Sequence, residues 1–247
     1  MEKWLEGKVV EKRLWSDKLY SLRLKAPVDP FTAGQFTRLA LEIDGERIAR
    51  PYSFVNPPQD DLLEIYFNEV ECGPLSPRLA ALEQGDRVWV SARPNGFFTL
   101  DQLPECENLW MIASGTALGV YLSILRTEQS WQRFHRIVLV HNVRKEDQLS
   151  YSEEITTLKR QYDERFRYIP ITSREQVDGA LHGRILAALE DGRLENHAGV
   201  VLTAKQSHVM LCGNMGMIRE VSKALEARGM RKHRKKETGH FTTEKYH

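Results

Sequence analysis

The pattern of apolar residues changes near residue 101, and this change constrains the fold more than any other feature of the chain. Before it, short strand-like runs are separated by turn signals such as Asp44-Gly45 and Asn56-Pro57-Pro58. After it, continuous apolar runs such as Leu109–Ala113 alternate with helical patterns. The first pattern is typical of an antiparallel barrel, and the second is typical of a parallel sheet with covered faces. The sequence therefore predicts two domains: an antiparallel β-barrel over residues 1–101 and a Rossmann-like, nucleotide-binding α/β domain over residues 102–247.

The barrel domain is predicted to contain six short strands and one helix. Asp44-Gly45 predicts a tight hairpin. The helix is expected to have Ser76 as its N-cap and Pro77 in its first position, and to end at Gly85. The predicted strands are Lys8–Leu14, Tyr20–Leu24, Phe36–Leu41, Pro51–Val55, Leu63–Val70 and Arg87–Ala92.

The second domain is predicted to alternate buried strands with helices, as βαβ units do. Its predicted strands are Leu109–Ala113, Ile137–His141, Phe166–Ile171 and Val209–Cys212. Its predicted helices are Leu118–Glu128, Ser152–Tyr162, Arg184–Asp191 and Ile218–Arg228.

Composition excludes several classes of function. The net charge is +1, so nothing in the overall charge favours nucleic acid or a membrane surface. The three cysteines, Cys72, Cys106 and Cys212, are far apart and form no CxxC pair, which leaves too few ligands for a zinc ribbon or an iron–sulfur cluster. A disulfide framework is equally unexpected, which favours the cytoplasm. No run reaches the length of a membrane span, and we expect a monomer without a bound metal.

Arg50-Pro51-Tyr52-Ser53 combines a fixed cation, a rigid aromatic ring and a hydroxyl on one predicted strand. An anionic, planar, redox-active cofactor needs this set of groups. The tetrapeptide alone is weak evidence, because aromatic strands with one arginine are common. Gly73-Pro74-Leu75-Ser76, at the start of the predicted helix, could hold a phosphate through backbone N–H groups and the Ser76 hydroxyl. Plain capping of the helix by Ser76 is the alternative.

Gly115-Thr116-Ala117-Leu118-Gly119 follows a buried strand and opens a helix, as a pyrophosphate-binding turn does. A tight turn with glycines for packing explains it equally well. Arg144 follows the second predicted parallel strand, and Ser173-Arg174 follows the third. Two arginines at matching strand ends favour a 2′-phosphate, and hence NADP, although each alone could be an ordinary exposed charge. Arg184, at a helix start, is a weaker third candidate.

Cys212 precedes Gly213 at the end of the last predicted parallel strand, where ligands bind in such sheets. A buried structural cysteine is the commoner situation. The basic run Arg231–Lys236 is by default a solvated charge cluster, and an acidic protein partner suits it better than nucleic acid.

Four motifs occur in one order along the chain: Arg50-x-Tyr52-Ser53, Gly73-x-x-Ser76, Gly115-Thr116-Ala117-x-Gly119 and Cys212-Gly213-Asn214-x-x-Met217. Together they resemble the ferredoxin–NADP⁺ reductase family, and most closely its bacterial flavodoxin/ferredoxin branch. The resemblance covers essentially the whole chain. It includes Phe31-Thr32-Ala33-Gly34-Gln35-Phe36 and Gly96-Phe97-Phe98-x-Leu100 in the barrel domain.

The resemblance implies non-covalently bound FAD in the barrel and NADP(H) as substrate of the α/β domain. Arg50 would pair with the FAD pyrophosphate, Tyr52 would stack on the isoalloxazine, and Ser53 would hydrogen-bond near flavin N5. Cys212 would lie beside the nicotinamide and position it without attacking it, so the implied catalytic residues are Ser53 and Cys212. The implied FAD-binding residues are Arg50, Pro51, Tyr52, Ser53, Phe54, Phe67, Val70, Leu75, Ser76, Thr116, Tyr246 and His247. The implied NADP-binding residues are Gly115, Thr116, Arg144, Ser173, Arg174, Arg184, Cys212, Gly213 and Met217.

The chain departs from the family pattern at four places. Ala117 and Val120 replace a glycine and a proline of the family's GTGxGP motif, and Met215 replaces the proline of CGNPxM. His247 stands where bacterial relatives often end in tryptophan, so Tyr246 or Phe241 is the alternative aromatic for the flavin or its adenine. The C-terminal tail is expected to return to the flavin.

The implied activity is electron transfer between NADPH, which gives a hydride, and ferredoxin or flavodoxin, which takes single electrons. Two alternatives remain open at this point. One is an NAD(P)H-dependent free-flavin or quinone reductase. The other is a non-catalytic electron-transfer subunit of a larger oxidoreductase.

Overall fold

The computed structural model describes residues 2–246, and the chain divides into two compact units. The first consists of Met1–Leu100 and Gly119–Glu128, and the second of Asp101–Leu118 and Gln129–His247. The segment Gly119–Glu128 thus groups with the first unit, although the sequence pattern places it in the second domain.

The first unit is built on a six-stranded antiparallel sheet, as predicted. Its strands are β1 (Trp4–Ser16), β2 (Leu19–Lys25), β3 (Phe36–Ile43), β4 (Glu46–Ser53), β5 (Leu63–Asn68) and β6 (Arg87–Ser91). They pair in the order β4-β3-β6-β1-β2-β5, always antiparallel. A bridge between Phe54 and Ile65 joins the two ends of this order and closes the barrel. The predicted hairpin is confirmed, with Asp44 and Gly45 at φ 51° and 82°.

Alternation along the strands fills the barrel core. In β2, Leu22 and Leu24 are buried while Arg23 and Lys25 are exposed, as the two faces of a pleated strand require. The prediction for the helix was wrong at both ends. Helix α1 is Ser76–Ala81, so Leu75 holds the N-cap position and the helix ends before Gly85. The Ser76 hydroxyl is directed elsewhere, because its Oγ accepts a hydrogen bond from the Val70 N–H at 2.9 Å.

The second unit is an α/β fold on a six-stranded parallel sheet, also as predicted. Its strands are β7 (Asn108–Ser114), β8 (Arg136–Val143), β9 (Phe166–Thr172), β10 (Leu181–His182), β11 (Ser207–Gly213) and β12 (Phe241–Lys245). Its sheet order is β10-β9-β8-β7-β11-β12. The remaining helices are α2 (Leu118–Leu125), α3 (Glu128–Arg133), α4 (Ser152–Tyr162), α5 (Ile185–Glu190), α6 (Arg193–Ala198) and α7 (Met215–Ala227).

Four elements after residue 101 were not predicted: α3, β10, α6 and β12. The predicted helix Leu118–Glu128 corresponds to α2, which ends three residues earlier, at Leu125. Just after α2, the Arg126 guanidinium bonds the Val55 carbonyl at 2.9 Å and pairs with Glu64 at 2.9 Å. Thr127 ends the turn by donating its hydroxyl to the Ile124 carbonyl.

The strand order creates a switch point between β7 and β11. The chain moves outward from β7 through β8, β9 and β10, and then crosses back to place β11 on the other side of β7. Because every pairing in this sheet is parallel, the loops after all six strands lie at one edge. Ligands of open parallel sheets bind at this edge, next to the switch point. Among residues 2–246 no helix is long and apolar enough to cross a membrane.

Candidate functional site

Strand β4 of the barrel carries the first predicted cluster. Arg50 is exposed, Tyr52 is half-buried and Ser53 is buried. The Arg50 guanidinium donates only to the neighbouring Ala49 carbonyl, at 2.8 Å, and has no carboxylate partner among residues 2–246. It is therefore available to an anion.

The Tyr52 ring is held by other aromatic rings. It lies edge-on to Phe67, with centroids 5.9 Å apart and an interplanar angle of 74°. Phe67 in turn stacks on Tyr20 at 5.9 Å. Burial raises the pKa of the Tyr52 phenol to about 12, against a smaller opposing effect of Arg50. Tyr52 is thus a neutral, oriented ring, which suits stacking on a planar ligand.

The loop before α1 offers donors to an anion. Ser76 Oγ accepts from Val70 N, which leaves the hydroxyl hydrogen to donate. The first turn of α1 has no side-chain cap. A Cβ on Gly73 would lie 3.0 Å from the Val70 carbonyl oxygen and 3.2 Å from Ser76 Oγ, so the loop is too tight for a larger residue. These donors and the free Arg50 fit the pyrophosphate of FAD chemically.

The other residues implied to bind FAD differ in their exposure. Phe54 is fully buried and stacks on Phe31 at 4.0 Å. Leu75 is 1% exposed and lies in the barrel core, so its side chain supports the loop. Val70 is 55% exposed.

In the second unit, the loops after β7 and β11 are tied together at the switch point. Ser114 Oγ accepts from both the backbone N–H and the side-chain amide of Asn214, at 3.0 and 3.2 Å. Asn214 also caps α7 by accepting from Met217 N at 2.9 Å. Gly213 has φ +142°, and a Cβ there would collide with Ser114 Oγ. Sequence reasoning did not identify Ser114 and Asn214 as the residues that join the two loops.

The predicted arginines end the neighbouring strands. Arg174 N donates to the Arg144 carbonyl at 2.9 Å, and Ser173 donates to the Val143 carbonyl through both N and Oγ. Gly183, which precedes Arg184, donates to the Thr172 carbonyl at 2.9 Å. The side chains of these three arginines have no ion pair or hydrogen-bond partner in the described part of the chain. Three exposed, unpaired guanidinium groups at one sheet edge suit a phosphate dianion.

Cys212 is fully buried at the end of β11 and pairs across the sheet with Glu244. Burial raises the pKa of the thiol well above its usual value, and the Glu244 carboxylate raises it further. A hydrogen bond from Tyr246 opposes this only in part. The thiol therefore stays protonated, which excludes a thiolate nucleophile.

Glu244 is the most prominent residue that sequence reasoning missed. Burial raises its pKa from 4.5 to about 7, so the carboxyl group changes charge near neutrality. It was missed because no strand was predicted after Val209–Cys212, whereas the structure has β12 at Phe241–Lys245. The signal was present in Phe241-Thr242-Thr243, since aromatic and β-branched residues favour strands.

The C-terminal part of the second unit corrects or limits four other expectations. Phe241 is fully buried in the core of the second unit, so it cannot pack on a flavin or adenine. Tyr246 N donates to the Gly213 carbonyl at 2.9 Å, whereas His247 lies outside the described residues. The Met217 side chain packs in the same core as Phe241, which leaves its backbone as the part near the loop. The basic run Arg231–Lys236 precedes β12 and so lies at the opposite sheet edge from Cys212.

Comparison with known proteins extends these observations over the whole chain. Residues 111–223 match the model of the oxidoreductase NAD-binding domain family. The flavodoxin/ferredoxin–NADP reductase of Escherichia coli K12 is 50% identical over 220 residues, or 89% of each chain. The protein of that name from Buchnera aphidicola (subsp. Baizongia pistaciae) is 38% identical over all of both chains.

The chain belongs to the flavodoxin/ferredoxin–NADP reductase family. A solved ferredoxin–NADP⁺ reductase from Neisseria gonorrhoeae, with FAD and NADP bound, has the same fold with a TM-score of 0.94. It is 28% identical and covers 99% of both chains. The resemblance found in the four sequence motifs is thereby confirmed. The roles of the individual site residues stay predictions.

Proposed function

We propose that this protein is an FAD-dependent oxidoreductase that passes electrons between NADPH and ferredoxin or flavodoxin. The observation that carries the nucleotide specificity is the set of three exposed arginines at one sheet edge, Arg144, Arg174 and Arg184, whose side chains have no partner among residues 2–246. Arginine pairs with phosphate through two parallel hydrogen bonds, and NADP differs from NAD only by the 2′-phosphate. The family membership supports the redox partners.

The barrel residues fit FAD and would orient it. When bound, FAD supplies the chemistry that accepts two electrons as a hydride and releases them one at a time. Arg50, with the loop at Leu75 and Ser76, would neutralise the pyrophosphate. Tyr52 would stack on the ring system, and Ser53 would donate a hydrogen bond at its reactive nitrogen. Pro51, Phe54, Phe67 and Val70 would support or cover this platform.

The residues at the sheet edge would hold the other reactant. Gly115 and Thr116 would bind the NADP pyrophosphate, and Ser173 would assist the arginines at the 2′-phosphate. The buried, protonated Cys212 and its neighbour Gly213 would position the nicotinamide. Holding two reactants in register lowers the barrier without covalent catalysis by the protein.

The acidic electron carriers would be soluble proteins, and we propose a cytoplasmic, monomeric enzyme. Cys72, Cys106 and Cys212 are all free thiols, and Cys72 is exposed. Free thiols support this compartment, because disulfides are rare in the cytoplasm.

Two measurements on the purified protein test the proposal. NADPH-dependent reduction of cytochrome c should require added flavodoxin or ferredoxin, and FAD should remain with the protein on gel filtration. FAD that separates on the column would instead support a free-flavin reductase. Bound FAD without any NADPH-dependent reduction would support a non-catalytic subunit.

A further inference from the structure

His141 is a fully buried histidine on β8 that none of the roles above uses. It lies between Ala113 of β7 and Pro170 of β9 in the sheet. Its Nε2 is 3.0 Å from the carbonyl oxygen of Gly115, and its Nδ1 is 3.3 Å from the hydroxyl of Tyr168. The imidazole thus contacts the turn that would bind the pyrophosphate.

These contacts define the protonation state of the ring. A carbonyl oxygen can only accept, so Nε2 carries the hydrogen, and Nδ1 then accepts from the Tyr168 hydroxyl. Burial lowers the pKa of His141 to about 4, against a smaller opposing effect of the Gly115 carbonyl. The ring is therefore neutral at physiological pH and donates permanently to Gly115.

The direction of the Gly115 carbonyl matters because the peptide bond that follows is planar and trans. The N–H of Thr116 must point to the side opposite the Gly115 carbonyl. Gly115 has φ +57°, and a Cβ on it would meet nothing within 4 Å, so side-chain packing around Gly115 does not fix this peptide. The Gly115 carbonyl accepts hydrogen bonds from the Leu118 N–H and from the His141 imidazole, and the imidazole is the side chain that anchors it.

We propose that His141 is a positioning residue for NADP(H): it holds the Gly115–Thr116 peptide so that the Thr116 N–H faces the pyrophosphate. This inference rests on the proposed function. In a purely structural role, the hydrogen bonds of the buried histidine would affect no particular part of the ligand. In the proposed role, His141 affects the binding of one part of NADP(H), the pyrophosphate.

Two amide substitutions separate these roles. In His141→Gln the side-chain amide can reach the place of Nε2 and keep the donor to Gly115. In His141→Asn the amide reaches only the place of Nδ1, so the donor is lost. The probes are NADP⁺, which has the pyrophosphate, and adenosine 2′-phosphate, which lacks it. Both are titrated into the FAD-loaded enzyme by calorimetry.

We expect His141→Asn to weaken NADP⁺ about tenfold and leave adenosine 2′-phosphate unchanged, while His141→Gln binds both like the wild type. Equal loss for both ligands would reduce His141 to a structural residue, and unchanged NADP⁺ affinity in His141→Asn would overturn the proposal outright. If His141→Asn does not fold, Tyr168→Phe takes its place. By removing the donor to Nδ1, it should weaken NADP⁺ about threefold and spare adenosine 2′-phosphate, and unchanged NADP⁺ affinity would overturn the proposal. A wild type that binds no NADP⁺ would refute the proposed function itself.

Discussion

Substitution of Glu244 by glutamine should change the pH dependence of stability, since burial raises the pKa of this carboxyl group from 4.5 to about 7. Below pH 4.5 the Glu244 carboxyl group is protonated in both the folded and the unfolded state. The free energies of unfolding of the wild type and the variant should therefore differ by a constant there. Between the two pKa values only the folded state holds it, and the wild type therefore loses stability as the pH rises. Above pH 7 the loss is complete and amounts to about 3 kcal/mol, since each pH unit of separation is worth about 1.4 kcal/mol.

Urea unfolding of the wild type and Glu244→Gln, followed by circular dichroism between about pH 5 and pH 8, measures this difference. Glutamine does not titrate, so the variant should gain stability relative to the wild type across this range. Glu226→Gln, at an exposed position on α7, is the matched control for the loss of a surface carboxylate. A constant difference between wild type and Glu244→Gln at every pH would refute the reasoning.

Three further substitutions test the site. Arg144→Ala should raise the KM for NADPH about tenfold or more and leave that for NADH nearly unchanged; equal losses would end the 2′-phosphate assignment. Ser53→Ala should slow flavin reduction by NADPH in stopped flow about tenfold without loss of FAD, and an unchanged rate would remove its role. Gly213→Ala should cost about 2 kcal/mol more in thermal unfolding than Gly229→Ala, because both have positive φ but only the former collides with Ser114. Similar costs would contradict the collision.

Much of the fold could be predicted because local patterns agree with the final structure. The runs in β7, β8 and β11 are continuous apolar stretches, which occur where both sheet faces are covered. Asp44-Gly45 specifies its own hairpin, since both residues tolerate positive φ. Helix α4 was predicted with the bounds that it has in the structure, Ser152–Tyr162.

The rest depends on contacts that local patterns do not record. Strand β12 is an edge strand with few apolar residues, and only its register with β11 places Glu244 beside Cys212. Arg126, which follows α2, pairs with Glu64, which is distant in sequence, so the local pattern does not record this contact. His141 looked like one more residue at a strand end, and its bond to Gly115 becomes visible only when β7 and β8 are paired.

The visible absorption spectrum of the purified protein, recorded without oxygen before and after NADPH is added, tests the central claim most directly. The account predicts a flavin spectrum that bleaches rapidly with NADPH and far more slowly with NADH at the same concentration. A colourless protein that takes up no FAD, or a bound flavin that NADH bleaches as fast as NADPH, would contradict it.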